Sequence, residues 1–201
     1  MHAGKWIGYP ETFYWNGSLK YAAAAKDKAL IKLLQARFEH LFTTEKALLP
    51  IKNHVDLNMF GSLPLELYWV TKDERYKELG LPYADTQWEV PADAKPAEKE
   101  WAEKGYSWQT RLWIDDMYMI TIVQTHAYKV TNDSKYIDRA AKEMVMYLDE
   151  LQRPNGLIYH APDVPFYWGT RKVCGISCSM IPIAGLKRQV PPCLLSLSLW
   201  V

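Results

Sequence analysis

Apolar side chains recur at helical spacing through most of the chain. Between Lys28 and Phe42, Leu30, Leu33, Leu34, Phe38 and Leu41 fall on one face, which predicts an amphipathic helix. Ahead of it, Ser18 can cap a shorter helix through Ala25, where Tyr21 and the Ala22 to Ala25 run favour helix and close approach of a neighbour. A tight turn at Lys26-Asp27 joins the two. The same joint returns twice, because Tyr68-Trp69-Val70-Thr71-Lys72-Asp73-Glu74-Arg75-Tyr76 matches Tyr128-Lys129-Val130-Thr131-Asn132-Asp133-Ser134-Lys135-Tyr136, 60 residues on. In each copy an acidic or hydroxyl side chain can accept the free N–H groups of the new helix, while the Tyr folds back onto the core. Joints at Asp27, Asp73 and Asp133 therefore predict three helix pairs.

The other elements follow from this frame. Gly61 to Thr71 reads as a helix with Pro64 in its first turn, and Arg75 to about Trp88 as its partner, broken by Gly80 and Pro82. Thr110 to Val130 and Ser134 to Leu151 form the third pair. Glu89 to Gly105, rich in Pro, Ala, Glu and Lys, reads as an ordered surface excursion. Arg153-Pro154-Asn155-Gly156 stops the last helix, and Leu157 to His160 is expected to run extended behind it. The expected fold is all-α: helical hairpins side by side, in one domain over residues 1–168. Residues 169–201 form an atypical tail. It has no Asp or Glu and no clear amphipathic period, and it reads as a divergent or out-of-frame end.

Composition changes this picture little. With 24 Lys+Arg against 23 Asp+Glu, no electrostatic attraction to nucleic acid or an anionic membrane surface is expected. No run of 18 apolar residues predicts a membrane span. The start, Met1 to Trp6, lacks the apolar centre of a secretory signal, so the expected location is the cytoplasm, or a bacterial periplasm after removal of a leader. The three cysteines, Cys174, Cys178 and Cys193, are odd in number and confined to one end, which is no disulfide framework; with no His cluster nearby, no metal is expected. Nine Trp and thirteen Tyr are many for 201 residues. Most should fill the core, and some can serve as flat platforms for sugar rings.

Three runs could carry chemistry. Arg111-Leu112-Trp113-Ile114-Asp115-Asp116-Met117-Tyr118-Met119 sets adjacent carboxylates in an apolar, aromatic segment. Neighbours on a helix point about 100° apart, so at most one of them can share the buried face. An acid among Trp, Tyr and Met side chains loses hydration, which raises its pKa and suits it to donate a proton near neutral pH. The plainer alternative is that both aspartates cap or salt-bridge the helix start, with Arg111 as partner. His54-Val55-Asp56-Leu57-Asn58-Met59-Phe60-Gly61 alternates polar groups just before a helix, so Asp56 or Asn58 could be a simple cap, or Asp56 could face the same cavity as Asp115. His160-Ala161-Pro162-Asp163-Val164-Pro165-Phe166-Tyr167-Trp168 is a Pro-stiffened loop that could wall a sugar site.

Taken together with Ala84-Asp85-Thr86-Gln87-Trp88 and Asn155-Gly156-Leu157, these runs resemble the unsaturated rhamnogalacturonyl hydrolases of glycoside hydrolase family 105, relatives of the unsaturated glucuronyl hydrolases of family 88. The resemblance covers about residues 10–169. It implies part of an (α/α)6 toroid with a central pocket. It also implies a substrate whose terminal uronic acid carries the C4=C5 double bond left by a polysaccharide lyase. An aspartic acid protonates that vinyl ether, water adds at C5, and the hemiketal collapses to release the sugar. By the resemblance Asp115 is the proton donor and Asp56 the second acid, while His160, Trp168, Trp113 and Arg111 line the substrate site; the partner is an oligosaccharide, and this chemistry requires no metal or organic cofactor.

Two departures accompany the match. The family's Arg-x-x-Gly-Trp motif is absent after Trp168-Gly169, where Thr170-Arg171-Lys172-Val173-Cys174 stands instead. An inactive carbohydrate-binding fragment is therefore a competing expectation. A half-toroid would also leave a helix face uncovered, from which self-association is expected.

Overall fold

The computed structural model describes residues 5–162 and the backbone of 164–167. Eight α-helices and a short hairpin account for most of them: α1 (Tyr9–Ala24), α2 (Lys28–Glu39), α3 (Val55–Asn58), α4 (Ser62–Thr71), α5 (Glu74–Asp85), α6 (Pro96–Glu103), α7 (Ile114–Thr131), α8 (Ser134–Leu151), β1 (Tyr159–Ala161) and β2 (Val164–Tyr167). The fold is all-α, as the periodicity predicts.

The three joints share one local device. Lys26, Lys72 and Asn132 adopt left-handed backbone, with φ of 55°, 62° and 57°, which ends the first helix of each pair and turns the chain back. The next residue caps the second helix: carboxylates of Asp27, Asp73 and Asp133 accept from Leu30 N (2.9 Å), Arg75 N (3.1 Å) and Lys135 N (3.0 Å). Tyr76 and Tyr136 then fold into the core, as the repeat implies. The resulting hairpins are α1–α2, α4–α5 and α7–α8. Their first helices lie side by side, α1 against α4 and α4 against α7. Leu19, Phe38, Phe60, Leu63, Leu67, Tyr76, Ile120 and Val123 form the shared core. A second cluster around Met146, Tyr147 and Leu151 gathers Trp101, Tyr106, Leu112, Ile114 and Ile158.

Several boundaries differ from those the pattern suggests. Helix α1 starts at Tyr9, with Pro10 in its first turn and the Glu11 carboxylate accepting from Gly8 N. Ser18 is thus an interior residue, and its hydroxyl donates to Tyr14 O at 2.8 Å. Helix α5 runs unbroken through Gly80 and Pro82. Gly80 is there for proximity: a Cβ on it would lie 2.6 Å from Leu65 Cγ, so α4 and α5 could not approach as they do. The 89–105 excursion contains α6. Helix α7 begins at Ile114 rather than Thr110, because residues 107–110 are a buried strut and Leu112 is left-handed (φ 58°).

Candidate functional site

Helices α3 and α7 begin beside one another, and their first turns, with the residues just before α7, supply most of the candidate residues. Arg111, just before α7, lies between two carboxylates from different elements. Its Nε and Nη2 donate to Asp116 Oδ2 (3.0 Å) and Oδ1 (2.5 Å), and Nη2 also donates to Asp56 Oδ1 (3.0 Å). Such a forked geometry fixes both carboxylates in orientation as well as in distance. Its Nη1 stands 3.3 Å from His54 Nε2. On its other ring nitrogen, His54 Nδ1 accepts from Asp56 N (3.3 Å), so the His54 side chain caps α3. One cation thereby ties α3 to α7.

The adjacent aspartates separate by burial. Asp116 turns inward and is wholly buried, and burial pushes its carboxyl above its ordinary range against the pull of the Arg111 guanidinium; the like charges of Asp115 and Asp56 push the same way. The Asp116 carboxylate in turn raises the pKa of Arg111. Asp115 stays half-buried on the first turn of α7. Its Oδ1 is closed off from solvent and has no hydrogen-bond partner among the described residues. The alternative of a helix-start ion pair with Arg111 thus describes Asp116, and Asp115 is the carboxyl left with an oxygen to offer.

Aromatic surface adjoins this cluster. The Trp113 ring lies under the Arg111 guanidinium, 5.3 Å from its centroid, and 5.4 Å from the His160 ring on β1. Trp113 is 46% exposed, so it presents a face to solvent next to the carboxylates. Five of the expected site residues, Asp56, Arg111, Trp113, Asp115 and His160, therefore gather around the starts of α3 and α7. Trp168 and the 169–201 tail lie outside the described residues.

Other residues support the cluster without standing out in the motifs. Leu112 takes a left-handed conformation that Leu rarely adopts, while its side chain is held in the second core cluster. That reversal sets Arg111 and Trp113 on their respective neighbours. Asn58, two residues after Asp56, is buried and donates to Tyr83 O and Thr86 Oγ1, both at 3.1 Å. Glu143 of α8 is also buried and grips the strut before Arg111. A glutamate in the stripe Tyr136, Ala140, Glu143, Met144, Tyr147 was a visible signal, since an acid on an apolar helical face needs a partner.

No curated protein and no solved structure matches the chain. The model of Glycosyl Hydrolase Family 88 matches residues 2–170, which takes in every element described above; the chain belongs to that family of glycoside hydrolases, which act in general on unsaturated glycosyl groups.

Proposed function

We propose that the protein hydrates the vinyl ether of a 4,5-unsaturated galacturonyl group at the end of lyase-generated rhamnogalacturonan oligosaccharides, in the manner of glycoside hydrolase family 105. Asp115 delivers a proton to C4, and water adds its oxygen to C5 while its remaining proton returns to a carboxylate of the site. The hemiketal then opens, leaving a ketone at C5 and a hemiacetal at C1 that expels the sugar beyond. Asp56, oriented by Arg111, holds the ring and the water. Trp113 and His160 form a wall of the sugar site, with Trp168 expected alongside. The single observation that supports this reading most is the carboxyl of Asp115. It has an unpartnered, solvent-excluded oxygen beside an aromatic wall and within the field of the Arg111-bridged pair.

The glucuronyl-specific reaction is the second reading, favoured by the match to the Family 88 model. Two substrates separate them: lyase-treated rhamnogalacturonan and an unsaturated glucuronyl disaccharide. The proposal expects the ultraviolet absorbance of the double bond to decay faster with the first, and Asp115→Asn to stop the decay. Faster decay with the second substrate selects the glucuronyl reading. Binding of either sugar without decay would mean a carbohydrate-binding fragment.

A further inference from the structure

We propose that Glu143 is a positioning residue for this site: from α8 it clamps the 107–110 strut and so aims the next residue, Arg111, at Asp56 and Asp116. The proposal rests on the reading of that cluster as the active site.

Residues 107–110 are buried and held on two sides. On the α8 side, Ser107 N donates to Glu143 Oε2 (3.1 Å) and the Thr110 hydroxyl to Oε1 (2.5 Å). On the other side, Ser107 Oγ donates to Gln87 O (2.9 Å) and Trp108 Nε1 to Thr86 O (2.6 Å). Thr86 Oγ1 also accepts from Asn58, which shares α3 with Asp56. The guanidinium and the carboxylate it meets thus hang from one frame, Asp56 through Asn58 and Thr86, and Arg111 through the strut. Glu143 closes that frame from behind.

The clamp needs a carboxylate. Its two donors reach different oxygens, and only the ionised form accepts at both without a proton of its own. Burial pushes Glu143 up to about 7, against the pull of the Thr110 hydroxyl, the Ser107 amide and Lys142. The charged and titratable groups that face it are few. Lys142, beside it on α8, directs its ammonium to Lys104 O. Asp116 on α7 raises its pKa, and Tyr147, one turn on along α8, feels its charge. The strut and the 86–87 segment contribute none. An acid kept at such a burial cost beside the site, holding the residue before Arg111, is explained by what it orients.

The test reads Arg111 directly. In full-length protein carrying His54→Gln, which removes the imidazole facing Arg111, the side-chain Nε–H resonance of 15N-labelled Arg111 is followed from pH 5 to 9, assigned by its loss in Arg111→Lys. A titration with a midpoint near 7 is expected, and it should vanish on adding Glu143→Gln. If that variant does not fold, Thr110→Val takes its place; it removes a donor to the carboxylate and should move the midpoint upward. A flat profile before substitution, or a midpoint that neither change affects, overturns the proposal. With unsaturated oligosaccharide, Glu143→Gln should lower kcat/KM by about tenfold or more, from misplaced reacting groups, and flatten the acid limb of its pH profile. Wild type inert on every unsaturated substrate would fail the active-site reading alone, because the resonance still reports the clamp.

Discussion

Substituting the two neighbouring aspartates one at a time should separate chemistry from stability. Asp116→Asn keeps the size of a fully buried side chain but removes the charge that answers the Arg111 guanidinium. Loss of a buried partner costs about 3–5 kcal/mol when the remaining ion has nothing else. Here Arg111 is one-third exposed and keeps Asp56, and an amide oxygen still accepts one hydrogen bond, so the cost falls to about 2 kcal/mol. For a chain of this length that lowers Tm by about 4–8 °C. Asp115→Asn removes no hydrogen bond or ion pair among the described residues, so its Tm should stay within about 1 °C of wild type, as for a substitution with no structural partner. Its activity should disappear. Differential scanning calorimetry and the absorbance assay, run on both variants, check the pair of outcomes. Equal destabilisation by the two substitutions, or full activity in Asp115→Asn, would refute the assignment of roles.

Other outcomes test the frame around the site. Gly61→Ala would bring a Cβ to 2.4 Å from Tyr83 Cβ, so the segment before α4 must shift, at a cost of about 1–3 kcal/mol measurable by urea unfolding. Glu66, buried with His126 and Lys129, feels burial pushing its pKa up, but those neighbours and Lys20 outweigh it and hold the carboxyl at about 2. Its folded pKa lies below the unfolded one, so it contributes about 3 kcal/mol that is present above pH 4.5 and lost as pH falls towards 2. The stability gap between wild type and Glu66→Gln should therefore narrow over that range in chemical denaturation. Tyr14 and Tyr21 of α1 are 75% and 65% exposed beside a groove lined by Phe13, Gly17, Leu30 and Leu34, and we propose this apolar surface as the uncovered face through which the chain self-associates. Light scattering after size exclusion should show oligomers that Tyr14→Lys with Tyr21→Lys disperses; a monomeric wild type would remove that proposal.

How much of this was readable in the residues depended on whether the cause was local. The three joints were, because a left-handed residue and a capping Asp, joined in the second and third by a returning Tyr, act within a few positions of one another. The starts of α3 and α7 were readable as runs of unusual chemistry. The start of α7 at Ile114 was not, since Leu112 carries no local tendency to left-handed backbone. Its side chain is held by Tyr147 and its neighbours, residues some thirty-five positions away. Equally hidden was which aspartate turns inward, a matter of how α7 is rotated against Arg111 and α3.

Glu143 shows how a cost in stability can mark a functional group. Its pKa is about 7 in the folded protein against 4.5 for a free carboxyl, so the folded state holds the proton more tightly. Folding is therefore favoured at low pH, and as pH rises from 4.5 through 7 about 3 kcal/mol of stability is lost. Glu143→Gln escapes that loss and, like the protonated carboxyl that wild type carries at low pH, keeps one accepting oxygen. The variant should match wild type within about 1 kcal/mol at pH 4.5 and be about 3 kcal/mol more stable at pH 8.5, with the gap opening as pH rises through 7. A residue retained only for stability would show no such gap. If urea unfolding finds Glu143→Gln the weaker protein throughout, the carboxylate stabilises the fold in both forms, and the burial cost on which its positioning role partly depends is not there.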